Sequence, residues 1–351
     1  MDNRILIRYV LSFLAAWAGA WLANRLGLPI PWLLGSLLTT ALLKINTVPV
    51  CSHPWSRPIG LTIIGMSLGL YFTPQMLVLI KDNGWILLAG MLLAILLGVS
   101  GSFVLYRFGG VDFKTAWFAA AIGGASEISH LAEHHGAQVD KVASAHSLRV
   151  LMIVVIVPFF YQYAGWHGTD QSVFLKNGEV HWGGLMLLVA CCVTMGKFFA
   201  WRNWSNPWTF GPLLAAALFT VFGVHLSSIP FVVVCFGQIL LGWALGNKFV
   251  PGFFQTAPRF LGVAACNNIV LLLAALAASW LLSKVTTLPL PTLGLGLAPG
   301  GVAEMTITAK VLQLGVPIVT AFHVARMIGV LMTASKLYDW INRYIINKPP
   351  A

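Results

Sequence analysis

Charged residues are scarce in this sequence, and that scarcity argues against a soluble protein. Only 9% of the 351 residues are Asp, Glu, Lys or Arg, whereas 58% are hydrophobic. Soluble domains carry about 25% charged residues, because polar groups must cover the surface that faces water. A chain with so little charge cannot cover such a surface, so most of its exterior must face lipid.

Cysteine pairing is lacking as well. The sequence contains five cysteines, Cys51, Cys191, Cys192, Cys235 and Cys266. They show neither a disulfide framework nor the C-x-x-C spacing of a metal site, so we interpret them as small apolar helix residues.

The chain also lacks a concentrated basic patch, although it carries 21 basic residues against 10 acidic ones. The lysines and arginines are scattered between apolar runs. This scatter is typical of topology signals beside lipid headgroups, and it argues against direct binding of nucleic acid.

Long uncharged runs are abundant, for example residues 58–80, 83–106 and 260–283. A spanning helix needs about 20 apolar residues. The runs lack the alternating pattern of a membrane β-barrel, and backbone groups in lipid must be bonded internally, so the spans are predicted to be helices. The sequence therefore predicts an all-α polytopic membrane protein with the lipid bilayer as its solvent.

One polar motif occurs twice in this apolar chain. The first copy consists of Gly123, Gly124, Ser126, Glu127, His146 and Arg149, and the second of Gly300, Gly301, Glu304, His323 and Arg326. Matched positions are separated by 177 residues (300 − 123, 326 − 149). Gly65 and Gly242 show the same offset (242 − 65). We therefore predict two transmembrane repeats, residues 1–172 and 178–351.

The distribution of basic residues predicts how the repeats are oriented. With an odd number of crossings per repeat, about five, and a cytoplasmic N-terminus, most lysines and arginines fall on the cytoplasmic side. With six crossings the distribution is more even. The rule therefore favours inverted-topology repeats with about 10–12 helical segments, including broken or re-entrant helices, and both termini in the cytoplasm.

The glycine pairs predict a break in each repeat. Glycine costs about 1 kcal/mol in a helix relative to alanine, and Pro299 adds to the second break by removing a donor. Irregular backbone at membrane depth is tolerated only where protein buries it or a cavity hydrates it. Inverted-repeat transporters place substrate and ion sites at such breaks. We therefore predict a substrate- or ion-binding site at the paired breaks.

Glu127 and Glu304 differ from the other acidic residues, which lie near predicted helix ends or in polar connections. An intramembrane carboxylate is costly and is a functional candidate by default. These two could bind a cation, carry a proton or pair with Arg149 and Arg326. The alternative is a buried charge-balancing network that only fixes helix contacts.

His146 and Arg149 are one helical turn apart, as are His323 and Arg326. They could hold an anionic solute, support the carboxylates or serve helix packing. Asn267 and Asn268 lie in an apolar helix, where they either bond between helices or line the solute path.

The segment His130–His134 matches the H-x-x-E-H pattern of one group of zinc proteases. The equivalent segment of the second repeat, Ile307–Val311, has no ligands. We therefore expect no metal site, no cofactor and no enzymatic activity.

The sequence resembles the AbrB family of bacterial membrane proteins over nearly its whole length. The resemblance rests on Pro31–Gly35, on Gly123–Glu127 with Arg149, and on Ala298–Gly301 with Arg326. It implies an internal duplication and a location in the bacterial inner (cytoplasmic) membrane. Members are labelled as regulators of gene expression or as ammonia monooxygenases. A monooxygenase would need a copper or iron cluster, and the sequence offers no repeated set of ligands for one.

The motifs favour a secondary transporter or exporter of a small solute, coupled to H⁺ or Na⁺. The alternative is a membrane-embedded regulator of gene expression that acts through a partner or indirectly through solute levels. A small molecule or an ion is the expected partner, and the sequence leaves open whether the chain forms a homodimer.

Overall fold

The computed structural model describes residues 3–168 and 179–346, and this part of the chain is helical without strands. The first repeat contains α1 (Asn3–Arg25), α2 (Pro31–Ile45), α3 (Ser56–Gly69), α4 (Pro74–Asp82), α5 (Gly84–Phe108), α6 (Phe113–Ala120), α7 (Ala125–His134) and α8 (Val139–Tyr163). The second contains α9 (Trp182–Trp201), α10 (Pro207–Val221), α11 (Phe231–Gly246), α12 (Phe253–Thr256), α13 (Pro258–Val285), α14 (Leu290–Leu297), α15 (Val302–Val311) and α16 (Val316–Ile341), followed by a π-helical turn, Asn342–Ile346.

Six of the described helices, α1, α5, α8, α9, α13 and α16, are long and apolar enough to cross a membrane. Their large apolar side chains are exposed in the isolated chain, as on α5, where Leu88, Leu92 and Leu96 are 58%, 56% and 65% exposed. Such a surface requires lipid. The all-α polytopic membrane fold is therefore confirmed, whereas the inversion of the repeats, the particular membrane and the side of the termini stay predictions.

The described residues contain more helical segments than the sequence indicated. Each broken segment consists of two short helices, and α4 and α12 follow α3 and α11 as separate helices. The first of these bends is 88°, between α3 and α4. Pro74 begins α4 because proline suits a first helical turn but cannot continue a helix.

The chain forms two compact units, and neither coincides with one repeat. Unit 1 comprises Met1–Asp82, Val157–Phe253 and Thr306–Ile318, and unit 2 comprises Asn83–Ile156, Phe254–Met305 and Val319–Ala351. Each unit therefore takes equivalent helices from both repeats. The predicted join between the repeats, near residues 172–178, lies outside the described residues.

Within unit 1, helices of the two repeats exchange partners. α2 packs against α1 and α11, whereas α10 packs against α9 and α3. A Cβ on Gly65 would lie 2.5 Å from the Thr209 carbonyl oxygen, and one on Gly242 would lie 2.5 Å from the Leu33 carbonyl oxygen. Thr209 and Leu33 are themselves matched positions, at an offset of 176 (209 − 33). These glycines therefore let helices of the two repeats approach closely.

Unit 2 contains both breaks, residues 121–124 and 298–301. α5 packs against α6 and α13, α13 packs against α14, and α6 contacts α7. The first half-helix of each break, α6 or α14, thus packs against the long helix that precedes it in the sequence. All the predicted site residues belong to this unit.

Candidate functional site

The first break, residues 121–124, separates α6 from α7, and the second break, residues 298–301, separates α14 from α15. The helices end before the glycines, because the backbones of Ala121 (φ −56°, ψ 126°) and Ala298 (φ −54°, ψ 136°) are already non-helical. A residue before proline avoids the helical region, which accounts for Ala298 before Pro299. The first break adopts the same geometry with Ile122 in place of proline.

The first break is bound by side chains of α8. Arg149 donates from Nη1 to the Ala121 carbonyl at 2.8 Å and from Nη2 to the Gly123 carbonyl at 3.1 Å. His146 contacts the Phe118 carbonyl through Nε2 at 3.0 Å. A carbonyl only accepts, so Nε2 carries the hydrogen. The last carbonyls of a helix lack intrahelical donors, and this pair supplies them.

The second break is bound in the same way by side chains of α16. Arg326 donates from Nη1 to the Ala298 carbonyl at 2.6 Å and from Nη2 to the Gly300 carbonyl. His323 contacts the Leu295 carbonyl through Nε2 at 3.0 Å. Donation from a charged group makes these bonds stronger than neutral ones. Both breaks are therefore fixed by one His and one Arg of a long helix, α8 or α16, which comes after the second half-helix of the break.

Buried polar atoms without a partner remain on three of these residues. The Nε–H groups of Arg149 and Arg326 and the Nδ1 atom of His323 are buried and have no hydrogen-bond partner within residues 3–168 and 179–346. The sequence left open whether these side chains hold an anionic solute, support the carboxylates or serve helix packing. In the structure one N–H of each Nη atom binds backbone, and the buried Nε–H groups are donors that another ligand could use.

The two breaks lie together in unit 2. A Cβ on Gly123 would lie 3.2 Å from Val330 on α16, and a Cβ on Gly300 would lie 3.1 Å from Ile153 on α8. Ile153 and Val330 are matched positions (330 − 153 = 177), so the contacts are reciprocal. Glu304 is also within electrostatic range of Arg149. Each break thus contacts the helix that binds the other break.

The two carboxylates sit in the first turns of α7 and α15, where the helix dipole favours negative charge. Glu304 is buried, with 7% exposure, and its carboxylate lies over Gly301, where a Cβ would collide with it. Glu127 is partly exposed. The second carboxylate is therefore enclosed by protein, and the first is accessible.

The remaining predicted residues are less central to the breaks. Asn267 is buried, and its Nδ2 atom would lie 2.9 Å from a Cβ on Gly101 of α5. Asn268 donates from Nδ2 to the Met152 sulfur at 3.7 Å. Both asparagines thus contact neighbouring helices. The helical backbone of Ser126 is described, but its side chain lies outside the described part of the structure.

A small apolar cavity of about 20 Å³ adjoins the first break. Its lining includes Gly98, Trp117, Ala121, Ile122, Val330 and Ala334. The Trp117 indole donates to the Ala334 carbonyl at 3.0 Å, so this polar atom is already bonded. A volume of this size accommodates about one water molecule.

Across residues 3–168 and 179–346, no group of three or more His, Cys, Asp or Glu side chains is arranged to hold a metal ion. The H-x-x-E-H segment lies at the end of α7, where His130 and His134 contact each other.

The sequence did not identify the groups that the histidines and arginines bind. The acceptors are backbone carbonyls, which leave no mark on residue identity. Ile153 and Val330 could have been found from the shared offset. Lys310 was also missed: it is partly buried in unit 1, where it donates to Ser67 Oγ and lies 5.6 Å from the centroid of the Tyr71 ring.

Comparison with known proteins shows the relationship of the whole chain. The chain is 25% identical over 346 residues to YhjN, an uncharacterized protein of Bacillus subtilis (strain 168), covering 92% of this chain and 90% of that protein. It is 20% identical over 322 residues to a candidate regulator named AbrB in Escherichia coli (strain K12), covering 90% of this chain and 91% of that protein. The model of the family described as transition state regulatory protein AbrB matches residues 32–342, so the chain belongs to this family.

Proposed function

We propose that the protein is a secondary transporter or exporter of a small solute, with its binding site at the paired breaks. The observation that supports this most is the reciprocal arrangement of the breaks. Each break is fixed by a buried His–Arg pair and contacts the helix that carries the other pair. Transporters with internal repeats bind substrates between broken helices of this kind.

The charges of the site support a solute with polar or anionic groups, together with a coupling cation. The N-terminal ends of α7 and α15 carry partial positive charge, and the buried Nε–H groups of Arg149 and Arg326 add donors. Glu127 and Glu304 supply the negative charges that a proton or Na⁺ would neutralise. A buried carboxylate costs less when a cation binds with the solute, which is the physical basis of coupling.

Solute uptake into proteoliposomes tests the proposal. A panel of small anions, zwitterions and amines is offered to vesicles under an imposed H⁺ or Na⁺ gradient. We expect the wild-type protein to accumulate one class of solute, and Glu127→Gln and Glu304→Gln to lose gradient-driven accumulation. Asp140→Asn, at an exposed position of α8, is the matched control and should retain uptake. Unchanged uptake in both glutamine variants would remove the carboxylates from the mechanism.

A second candidate function follows from the names of the relatives. The family description and the name of the Escherichia coli protein both refer to regulation. Such a protein would alter gene expression through a bound partner or through solute levels. Affinity purification that recovers a stable soluble partner, together with absence of transport in vesicles, would favour direct regulation. Transport together with altered expression would favour the indirect route.

A further inference from the structure

The two half-helices that follow the breaks differ along one face. On α7, Glu127, His130 and His134 are spaced i, i+3 and i+7, which places them on one side of the helix. On α15 the positions matching the two histidines are Ile307 and Val311. The acidic position recurs in both half-helices, whereas the imidazoles occur only on α7.

The two imidazoles of α7 contact each other directly. The Nε2 atoms of His130 and His134 are 3.1 Å apart, a distance at which one must donate a hydrogen to the other. The Nδ1 atom of His130 is 3.9 Å from Glu133 Oε2. A hydrogen on Nδ1 of His130 is favoured by that carboxylate, and it leaves Nε2 free to accept from His134.

This imidazole pair lies at the accessible end of α7. The side chains of His130 and Glu133 are 69% and 73% exposed, whereas Glu127, one turn nearer the break, is only partly exposed. Histidine is the side chain whose ordinary pKa suits proton exchange near neutral pH. The face therefore runs from an accessible proton acceptor towards the carboxylate beside the first break.

We propose that Glu127, His130 and His134 form a path for protons along α7, so that H⁺ rather than Na⁺ is the coupling ion. This inference rests on the proposed transport function and assigns its coupling ion. A proton from water converts His134 to imidazolium, and His134 passes a proton through Nε2 to His130. After its ring rotates, His130 passes a proton to the Glu127 carboxylate, so that both imidazoles become neutral again and the carboxylate is protonated.

Charged groups of neighbouring helices also lie near this end of α7. On α6, Lys114 Nζ lies 3.8 Å from Asp112, its N-cap residue, and it approaches Gly136 just beyond α7. On α16, Asp339 lies 3.8 Å from His135 Nε2. Nδ1 of His135 contacts the Leu131 carbonyl at 2.8 Å, so this histidine is bound to backbone and to another helix.

A pH-jump experiment on the full chain in lipid nanodiscs tests the path without any solute. Time-resolved infrared spectroscopy follows protonation of Glu127, whose carboxyl band is the one lost in Glu127→Gln. The double variant His130→Ile with His134→Val places in α7 the residues found at the matching positions of α15. Because α15 is helical with these residues, α7 should stay helical in the variant. We expect Glu127 to protonate about tenfold more slowly, or slower still, in this variant, with the same final extent.

Two controls keep the result interpretable. His225→Gln changes an exposed histidine outside α7 and should leave the rate unchanged. His130→Gln with His134→Gln keeps polar side chains that do not titrate in this range and should be as slow as the apolar variant. An unchanged rate in both double variants, or a Glu127 that does not protonate in the wild-type protein, would overturn the path.

The outcomes for the path and for transport are separable. Uptake that depends on Glu127, together with an unchanged protonation rate in the double variants, overturns the path and leaves the transporter standing. Slowed protonation in a protein that transports no solute overturns the proposed function, and the coupling assignment falls with it.

Discussion

The first and second breaks share one scaffold and differ in their chemistry. At each break, a histidine of the long helix α8 or α16 contacts a carbonyl of the preceding half-helix at 3.0 Å. An arginine of the same long helix binds two carbonyls of the break. The carboxylates differ, because Glu304 is enclosed over Gly301 whereas Glu127 is partly exposed. The backbone-binding residues recur in both repeats, and the surroundings of the acid differ between them.

This difference suggests separate tasks for the two halves of the site. Burial makes the ionised form of a carboxylate costly unless a positive charge balances it, so the enclosed Glu304 is suited to pairing with Arg149 or with a bound cation. Glu127 is partly exposed and shares one face of α7 with His130 and His134, so it is suited to receiving a proton along that face. The His–Arg contacts should contribute equally to stability in both repeats, whereas Glu127 and Glu304 should contribute differently to function. The predictions below test both expectations.

The largest expected effect comes from the arginines. Arg149→Ala and Arg326→Ala each leave two carbonyls of a break without their donor, which should lower the free energy of unfolding by about 3 kcal/mol or more. Because the contacts match, the two losses should be similar in thermal unfolding of the detergent-solubilised protein. Arg149→Lys and Arg326→Lys keep the positive charge but not the two-pronged geometry of the guanidinium. Their free energies of unfolding should therefore lie between those of the wild type and of the alanine variants. A variant as stable as the wild type would contradict the equivalence of the breaks.

Substitution of Gly301 in the second break should reduce uptake more than substitution of Gly123 in the first break. In Gly301→Ala the new Cβ displaces the Glu304 carboxylate, so uptake should fall by about tenfold or more, as misplaced functional groups do. In Gly123→Ala the new Cβ meets the Ile128 side chain at 2.9 Å, and that side chain can rotate. Uptake by Gly123→Ala should therefore fall less. Equal losses in vesicle uptake would show that displacement of the Glu304 carboxylate does not account for the loss in Gly301→Ala.

The smallest expected effect concerns the proline. Pro299→Ala should lower the free energy of unfolding by only about 0.4–1 kcal/mol, mainly through greater freedom of the unfolded chain. The first break shows that this geometry forms with Ile122 at the matching position. Thermal unfolding of the two single variants, Pro299→Ala and Arg326→Ala, should show the smaller loss of stability in Pro299→Ala. A loss as large as that of the arginine variant would mean that proline, not the His–Arg pair, maintains the second break.

Much of the site could be predicted from the sequence because the duplication marks it. A glycine pair, an acid, a histidine and an arginine at one offset identified both breaks and the helices that follow them. The ends of α6 and α14 were not predictable to the residue, since Ala121 has no special sequence signature. The acceptors of Arg149 and Arg326 are backbone atoms, which no residue pattern records.

The compact units were not predictable from the repeats. Sequence similarity divides the chain at the middle, whereas packing exchanges α3 and α11 between the repeats. That exchange depends on helix faces meeting over long sequence separations, as Gly65 meets Thr209. The shared offset of Gly65 and Gly242 indicated the duplication, but it could not name the helix that each glycine contacts.

A structure of the protein with the solute identified by uptake tests the central claim most directly. Binding at the paired breaks predicts density between residues 121–124 and 298–301, contacting the first turns of α7 and α15 and the Nε–H of Arg149 or Arg326. Density elsewhere, with both breaks closed around their own side chains, would contradict a binding role and leave the His–Arg pairs as structural elements alone.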